Sequence, residues 1–152
     1  SEIFDADVDV DHATQLLSQA VQIQTISSEP NQANFDEFLA FMQSSFPAVH
    51  KQLHRTVIAD NTPLYRWQGS DESLKPVLLA AHYDVVPIEP GTEDDWPHPP
   101  FGGIIDDGKL YGRGTLDDKL GVMGWLEAAE AKLGEYQFCS TCSQIFIIFT
   151  TE

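Results

Sequence analysis

Three stretches of the chain carry apolar residues at helical spacing. Residues 13–23 and 35–46 predict two amphipathic helices, the second of which ends before Pro47. Residues 117–133 predict a third helix, with acidic residues in its first turn and Gly134 after its last. The apolar positions that define these helices are Leu16, Leu17, Ala20, Val21, Phe35, Phe38, Leu39, Met42, Phe46, Leu116, Leu120, Met123, Leu126 and Ala129.

Other apolar runs, bounded by turn residues, predict β-strands. Two runs on either side of Asn61–Pro63 predict a hairpin, and Asp107-Gly108 between apolar pairs predicts a second one. The runs "KPVLLAAHYDVVP", residues 75–87, and "QIFIIFTTE", residues 144–152, are apolar on both faces, as in central parallel strands covered by helices. Helices alternating with such strands predict an α/β fold with a mixed or mostly parallel sheet.

Acidic residues dominate the composition of the chain. Its 152 residues include 8 Lys or Arg and 24 Asp or Glu, so the formal net charge is −16. Nucleic acids and anionic membrane surfaces repel such a protein, and we expect neither as a partner. No apolar run approaches the ~20 residues that span a bilayer, so no membrane segment is expected in the chain. The sequence predicts a flexible acidic N-terminus at residues 1–12, followed by a single structural unit at residues 13–152. A lone CxxC pair, Cys139 and Cys142, predicts no function.

The apolar run at residues 75–87 is interrupted by His82, Tyr83 and Asp84. Side chains alternate along a strand, so His82 and Asp84 share one face and are able to act together. Parallel sheets bind ligands at the carboxyl ends of their strands, and a metal-bound imidazole usually donates its other N–H to a carboxylate. The pattern fits a metal ligand with its orienting carboxylate, but a core histidine followed by a surface aspartate would have the same sequence.

Two further segments carry side chains suited to a site. The segment "YGRGTLDDK", residues 111–119, places Asp117 and Asp118 after a glycine turn, where carboxylates suit a divalent cation and repel a phosphate. The same pair would also serve as an acidic first helical turn that complements the helix dipole. In "DDWPHPPFGG", residues 94–103, His98 is either a candidate ligand or a surface histidine, and the segment also suits a substrate-lining loop.

Together and in this order, the motifs resemble those of a known enzyme family. "HYDVVP", "WPHPPFGG" and "DGKLYGRGTLDDK" are similar to the motifs of the dinuclear zinc peptidases and amidohydrolases, which include aminoacylase, acetylornithine deacetylase, glutamate carboxypeptidase and carboxypeptidase S. The nearest branch is that of carboxypeptidase S and the N-fatty-acyl-amino-acid hydrolases. Over residues 13–152 the resemblance implies the N-terminal part of a three-layer α/β fold, with helices on both faces of the sheet. It also implies a hydrolase that cleaves amide bonds of small peptides or N-acyl amino acids.

The resemblance further implies roles for individual residues. His82 would ligate one zinc ion, Asp84 would hold and polarise His82, and Asp117 would bridge two zinc ions. Such ions lie ~3.5–4 Å apart and together activate a water and polarise the substrate carbonyl. Cobalt or manganese would be substitutes for zinc. Asp118 and Lys119 would be neighbours within the motif and not ligands.

The family places two consecutive glutamates, a general base and a metal ligand, after the strand that matches residues 144–152. Glu152 would be the acidic residue just before this pair or, with a shift of one position, the base itself. Further ligands and the lid domain through which family members often form homodimers have no counterpart in the sequence. We therefore expect an incomplete catalytic domain that binds metal weakly and hydrolyses nothing by itself, since a catalytic zinc needs about three protein ligands. The alternative is a non-catalytic remnant or binding module that keeps the fold.

Overall fold

The computed structural model describes residues 8–28, 31–135 and 142–151. Its helices are α1 (Val10–Gln22), α2 (Gln32–Ser45), α3 (Pro47–Gln52) and α4 (Leu120–Glu135). Its strands are β1 (His54–Ile58), β2 (Thr62–Gln68), β3 (Val77–His82), β4 (Ile104–Asp106), β5 (Lys109–Tyr111) and β6 (Gln144–Thr150). The three helices, both hairpins and the two apolar strands expected from the sequence are present, whereas the short helix α3 is not predicted by the pattern.

Local signals explain where α1 and α3 begin. The Asp9 carboxylate accepts a backbone N–H of the first turn at 3.0 Å, so α1 begins at Val10 and not at residue 13. Pro47 follows α2, as predicted, but it also opens α3, because its fixed φ suits the first position of a helix. The carboxylate of Glu130 on α4 accepts two backbone N–H groups of α3, each at 2.8 Å, which gives the start of this helix its partners.

The third predicted helix begins later than expected. Its predicted first turn contained Asp117 (φ −130°, ψ 92°) and Asp118 (φ −136°, ψ 32°), whose backbone angles are not helical. Residues 115–119 form an irregular turn instead, and α4 begins at Leu120 and continues through Gly134 to its end. The Asp118 carboxylate accepts the N–H of Gly121 at 3.2 Å, so this side chain caps the helix from outside.

Four strands form one mixed sheet in the order β1-β2-β6-β3. The β1–β2 and β2–β6 pairs are antiparallel, and β3 runs parallel to β6. This topology confirms the predicted α/β fold with a mixed sheet. Among the described strands, however, β3 lies at the edge and not at the centre of the sheet, because only one of its sides pairs with another strand, and Leu78 is 66% exposed there.

One hydrophobic core joins the helices to the sheet. Alternate residues of β2 and β6 point into it, and Tyr65, Ile147 and Phe149 are buried. No helix within the described residues has both the length and the apolar character that a membrane span requires. The core residues contributed by the predicted helical stripes are Leu16, Leu17, Ala20, Val21, Phe35, Phe38, Met42, Phe46, Met123, Leu126 and Ala129.

Strands β4 and β5 form a separate hairpin that leads into the turn at residues 112–119. Asp107 and Gly108 both have positive φ, 47° and 71°, as the tight turn predicted from this dipeptide requires. The hairpin thus connects the loop after β3 to the segment that carries Asp117.

Candidate metal centre

His82 is the last residue of β3, at the carboxyl end of the strand that runs parallel to β6. Its imidazole is partly exposed, in contrast to Ala81 just before it, which is buried in the core. The side chain therefore lies at the boundary between the core and the solvent, on the edge where α/β sheets bind their ligands.

Asp84 follows the strand and points back to His82. Its Oδ1 lies 3.1 Å from His82 Nδ1, and the residue is only 3% exposed. A buried carboxylate in this position fixes the orientation of the imidazole and leaves Nε2 available to another partner. The two side chains are therefore in contact, as their spacing along the strand indicated, and the alternative of a surface aspartate is wrong.

Backbone hydrogen bonds hold the residues on both sides of Asp84. The N–H of Val85 donates to the Thr25 carbonyl at 2.8 Å, and the N–H of Ser27 donates to the Val85 carbonyl at 3.1 Å. The Thr25 hydroxyl donates to the carbonyl of Tyr83. Asp84 is thus positioned by the segment that follows α1 as well as by its own strand.

Asp117 reaches the same imidazole from a different part of the chain, with its Oδ1 2.9 Å from His82 Nε2. A glycine in the preceding turn makes this approach possible. Gly114 has φ 85°, and a Cβ at this position would lie 2.5 Å from a side-chain carbon of Val85. Unlike the carboxylate of Asp84, the side chain of Asp117 is 91% exposed and is open to ligands from solvent.

The two carboxylates determine the protonation of the imidazole between them. Burial by itself lowers the pKa of His82, but the hydrogen bond to Asp117 and the charge of Asp84 together raise it above its usual value. A protonated imidazole donates from both ring nitrogens, and each nitrogen here faces one carboxylate oxygen. In its protonated form the imidazole therefore has a carboxylate partner for each ring nitrogen.

Imidazole and carboxylate are donors that zinc takes in proteins. Two donors bound to a tetrahedral zinc at about 2.0–2.1 Å lie ~3.3 Å from each other, so the His82–Asp117 pair, at 2.9 Å, needs to open by only about 0.4 Å. The donors fit the metal in type and spacing. Their number falls short, because the described residues contain no group of three or more His, Cys, Asp or Glu side chains that could hold an ion. The described residues thus supply two donors suited to zinc, fewer than the roughly three protein ligands that a catalytic zinc takes.

The structure places the other candidates from the sequence elsewhere or does not describe them. His98 Nε2 lies 3.3 Å from the Asp106 carboxylate, and its ring packs against Tyr111, so His98 is part of the β4–β5 hairpin region. Glu152 and Cys139 lie outside the described residues, so the role predicted for Glu152 and the absence of function predicted for Cys139 both stay predictions.

Lys119 is a residue of this region whose contacts the sequence interpretation missed. It is 0% exposed, and its Nζ donates to the carbonyls of Ala20 at 2.8 Å and Ile23 at 2.6 Å. Burial lowers the pKa of Lys119 to about 7, an effect that the nearby charge of Asp84 partly offsets. The available signal is its position one helical turn before Met123, on the apolar stripe of the predicted helix.

Known proteins of similar sequence provide a second line of information. The sequence profile of "Peptidase family M20/M25/M40" matches residues 78–151. A probable carboxypeptidase S-like protein of Dictyostelium discoideum is 45% identical over 127 residues, which cover 80% of this chain and 24% of that protein. A human N-fatty-acyl-amino acid synthase/hydrolase is 43% identical over 122 residues, which cover 77% of this chain and 24% of that protein.

The fold has solved relatives too. The crystal structure of human carnosine dipeptidase 1 superposes with a TM-score of 0.69 at 25% identity, covering 91% of this chain and 31% of that one. The predicted resemblance and the predicted fold class are therefore confirmed. The chain spans 24% of the length of each of the two curated relatives.

Proposed function

Because this chain is homologous to peptidase family M20/M25/M40, we propose that it forms part of the active site of a metal-dependent hydrolase. Its substrates are small peptides or N-acyl amino acids, the compounds suggested by the names of its relatives, a carboxypeptidase and an N-fatty-acyl-amino acid synthase/hydrolase. The observation that carries the proposal is the convergence of Asp84 and Asp117 on the two nitrogens of His82. A homodimer formed through a lid domain stays a prediction.

His82 and Asp117 are the residues that would hold the metal. In this proposal, His82 would hold one of two zinc ions and Asp117 would help to hold both, and cobalt or manganese would suit the same donors. Bound zinc supplies Lewis acidity, which polarises the carbonyl of the scissile amide and lowers the pKa of water. The short distance between the two donor atoms and the exposure of the Asp117 carboxylate support this assignment.

Asp84 keeps His82 in the form that binds a metal. Its buried carboxylate accepts the Nδ1–H, which leaves the lone pair of Nε2 for the metal. Rotation of the imidazole would break this hydrogen bond and leave the Asp84 carboxylate buried without its partner, so the ring stays in place. We assign Glu152 either as the general base that moves a proton from water to the leaving amine, or as the residue just before that base.

The number of donors supports a second candidate, a non-catalytic module that retains the fold. A catalytic zinc needs about three protein ligands, and His82 and Asp117 supply two. Such a module would bind zinc weakly and would not accelerate hydrolysis.

Hydrolysis of dipeptides and N-acyl amino acids by the complete hydrolase of which this chain would form part, measured with and without a chelator, tests the proposed function. We expect cleavage that a chelator abolishes and zinc restores, and that His82→Ala removes. His98→Ala is the matched control, because it deletes another histidine paired with an aspartate, and we expect it to retain activity. Activity that survives complete chelation would contradict the metal mechanism. Two tight zinc sites in calorimetry of the 152-residue chain would instead show that it holds more than part of a site.

A further inference from the structure

We propose that Lys119 is a positioning residue that fixes the two ligand-bearing segments of the candidate metal centre relative to each other. The inference rests on the proposed function in that it treats His82 and Asp117 as metal ligands. It adds a role for a residue that neither ligates a metal nor contacts the substrate.

The ammonium group of Lys119 binds the end of α1. Nζ donates to the carbonyl oxygens of Ala20 and Ile23, 2.8 and 2.6 Å away, and lies 5.0 Å from the centre of the Phe38 ring. The last carbonyls of a helix lack partners within the helix, and the negative end of its dipole favours a cation. Two of the three ammonium donors thus bind backbone oxygens, and the complete burial of the side chain excludes direct contact with a substrate.

On one side, the backbone of Lys119 is joined to the turn that contains Asp117. The backbone N–H of Lys119 donates to the Gly114 carbonyl at 3.0 Å, which closes the irregular turn with Asp117 inside it. Anchoring Lys119 at both its backbone and its ammonium therefore fixes the end of the turn next to Asp117.

On the other side, the carbonyls that Lys119 binds lead directly to the segment that holds Asp84. Thr25 comes two residues after Ile23, and its backbone and hydroxyl bind Val85 and Tyr83, the neighbours of Asp84. The ammonium thus lies where the α1 end, the Asp84 segment and the Asp117 turn meet. Because the donor atoms of His82 and Asp117 are only 2.9 Å apart, a small shift of either segment separates them.

If Lys119 only filled space in the core, its replacement by a residue of similar length would leave His82 and Asp117 undisturbed. Methionine has a similar length and would fill the space left by the lysine, but it would remove the ammonium donor from the carbonyls of Ala20 and Ile23. These would keep only their backbone donors, the N–H of Ile23 at 3.3 Å and the N–H of Thr25 at 3.0 Å. Arginine would restore donors to the same carbonyls. Lys109→Met is the matched control, because Lys109 is exposed on β5.

The test compares Lys119→Met, Lys119→Arg and Lys109→Met with the wild-type 152-residue chain. Nitrogen-15 NMR of the His82 imidazole in the metal-free chain reports the contact with Asp117, and cobalt titration reports the affinity of the paired donors. For Lys119→Met we expect the His82 signal to change and cobalt affinity to fall roughly 10-fold or more, as is usual when a residue supporting a ligand is lost. Lys119→Arg should recover part of both, and Lys109→Met should match the wild type.

A folded Lys119→Met chain with wild-type His82 signals and cobalt affinity would overturn the inference. If Lys119→Met does not fold, the wild-type chain still decides the matter through its lysine ammonium signals. Slow proton exchange at Lys119 compared with Lys109 supports the bonds to α1, and equal exchange refutes them. Because the NMR readout needs neither metal nor catalysis, altered His82 signals in the Lys119→Met chain, together with an absence of hydrolysis by the complete hydrolase, would refute the proposed function and leave the positioning role intact.

Discussion

Replacing Asp84 with asparagine changes one charge at the candidate metal centre and keeps the size of the side chain. The carboxylate is 3% exposed, and its Oδ1 lies 3.1 Å from His82 Nδ1. A hydrogen bond to a charged group contributes ~1.5–3 kcal/mol and one between neutral groups ~0.5–1.5 kcal/mol, so the substitution removes about 1–1.5 kcal/mol from the support of the imidazole. That loss corresponds to roughly a tenfold weaker affinity for zinc, at the lower end of the ~10–100-fold usual for such residues.

Competition with a chromophoric chelator measures this affinity, and thermal unfolding of the same samples shows whether Asp84→Asn remains folded. Asp106→Asn is the control, because Asp106 also pairs with a histidine, at 3.3 Å, but in the β4–β5 region. We expect Asp106→Asn to leave zinc affinity unchanged. If the folded Asp84→Asn chain binds zinc within about twofold of the wild type, a difference of ~0.4 kcal/mol, the Asp84–His82 bond does not prepare the ligand.

Three further predictions follow from contacts around the site. Gly114→Ala should lower the free energy of unfolding by ~1–3 kcal/mol in urea titrations, because φ is 85° and the new Cβ would lie 2.5 Å from Val85. Gly91→Ala, at φ 88° with open space around the Cβ, should lower the free energy of unfolding less than Gly114→Ala. Equal losses in the two variants would exclude the clash with Val85 as the cause. Glu130→Ala should cost ~0.5–2 kcal/mol, because it removes the acceptor of two N–H groups of α3, and an unchanged melting temperature would contradict this. Zinc affinity should fall as the pH is lowered, since the proton held between the paired donor atoms must leave before a metal binds both, and an affinity independent of pH would refute this reasoning.

The elements that periodicity predicts well are those whose signal is local. The apolar stripe around Phe38 and the Asp107-Gly108 turn each depend on neighbours within a few residues, and both have their predicted structure. Pro47 was ambiguous because proline suits the position after one helix and the first position of the next, and the partner of α3, Glu130, is far away in sequence. An acidic pair is typical of a first helical turn and therefore predicts an earlier start for α4 than the structure has. Asp117 instead has an extended backbone that turns its side chain towards His82.

In the candidate site, too, contacts between residues close in sequence are predictable from the pattern, and contacts between distant residues are not. Alternation along a strand is enough to pair His82 with Asp84, since the two residues are neighbours on one face. The contact of His82 with Asp117 joins residues 35 positions apart, and only the resemblance to a known family indicated it from the sequence.

Neither the local sequence pattern nor the resemblance to a known family indicates the contacts of Lys119. It joins Ala20 across 99 positions, and its partners are backbone carbonyls, which every residue possesses and no residue type marks. A lysine on the apolar stripe of a helix indicates that something must satisfy its ammonium group, because burial without partners would be costly, but it does not say what. The geometry of the His82–Asp117 pair thus depends on the packing of α1 against the turn at residues 115–119, a contact that local sequence does not specify. Substitutions that loosen this packing should therefore disturb His82 and Asp117 even when they lie outside the site.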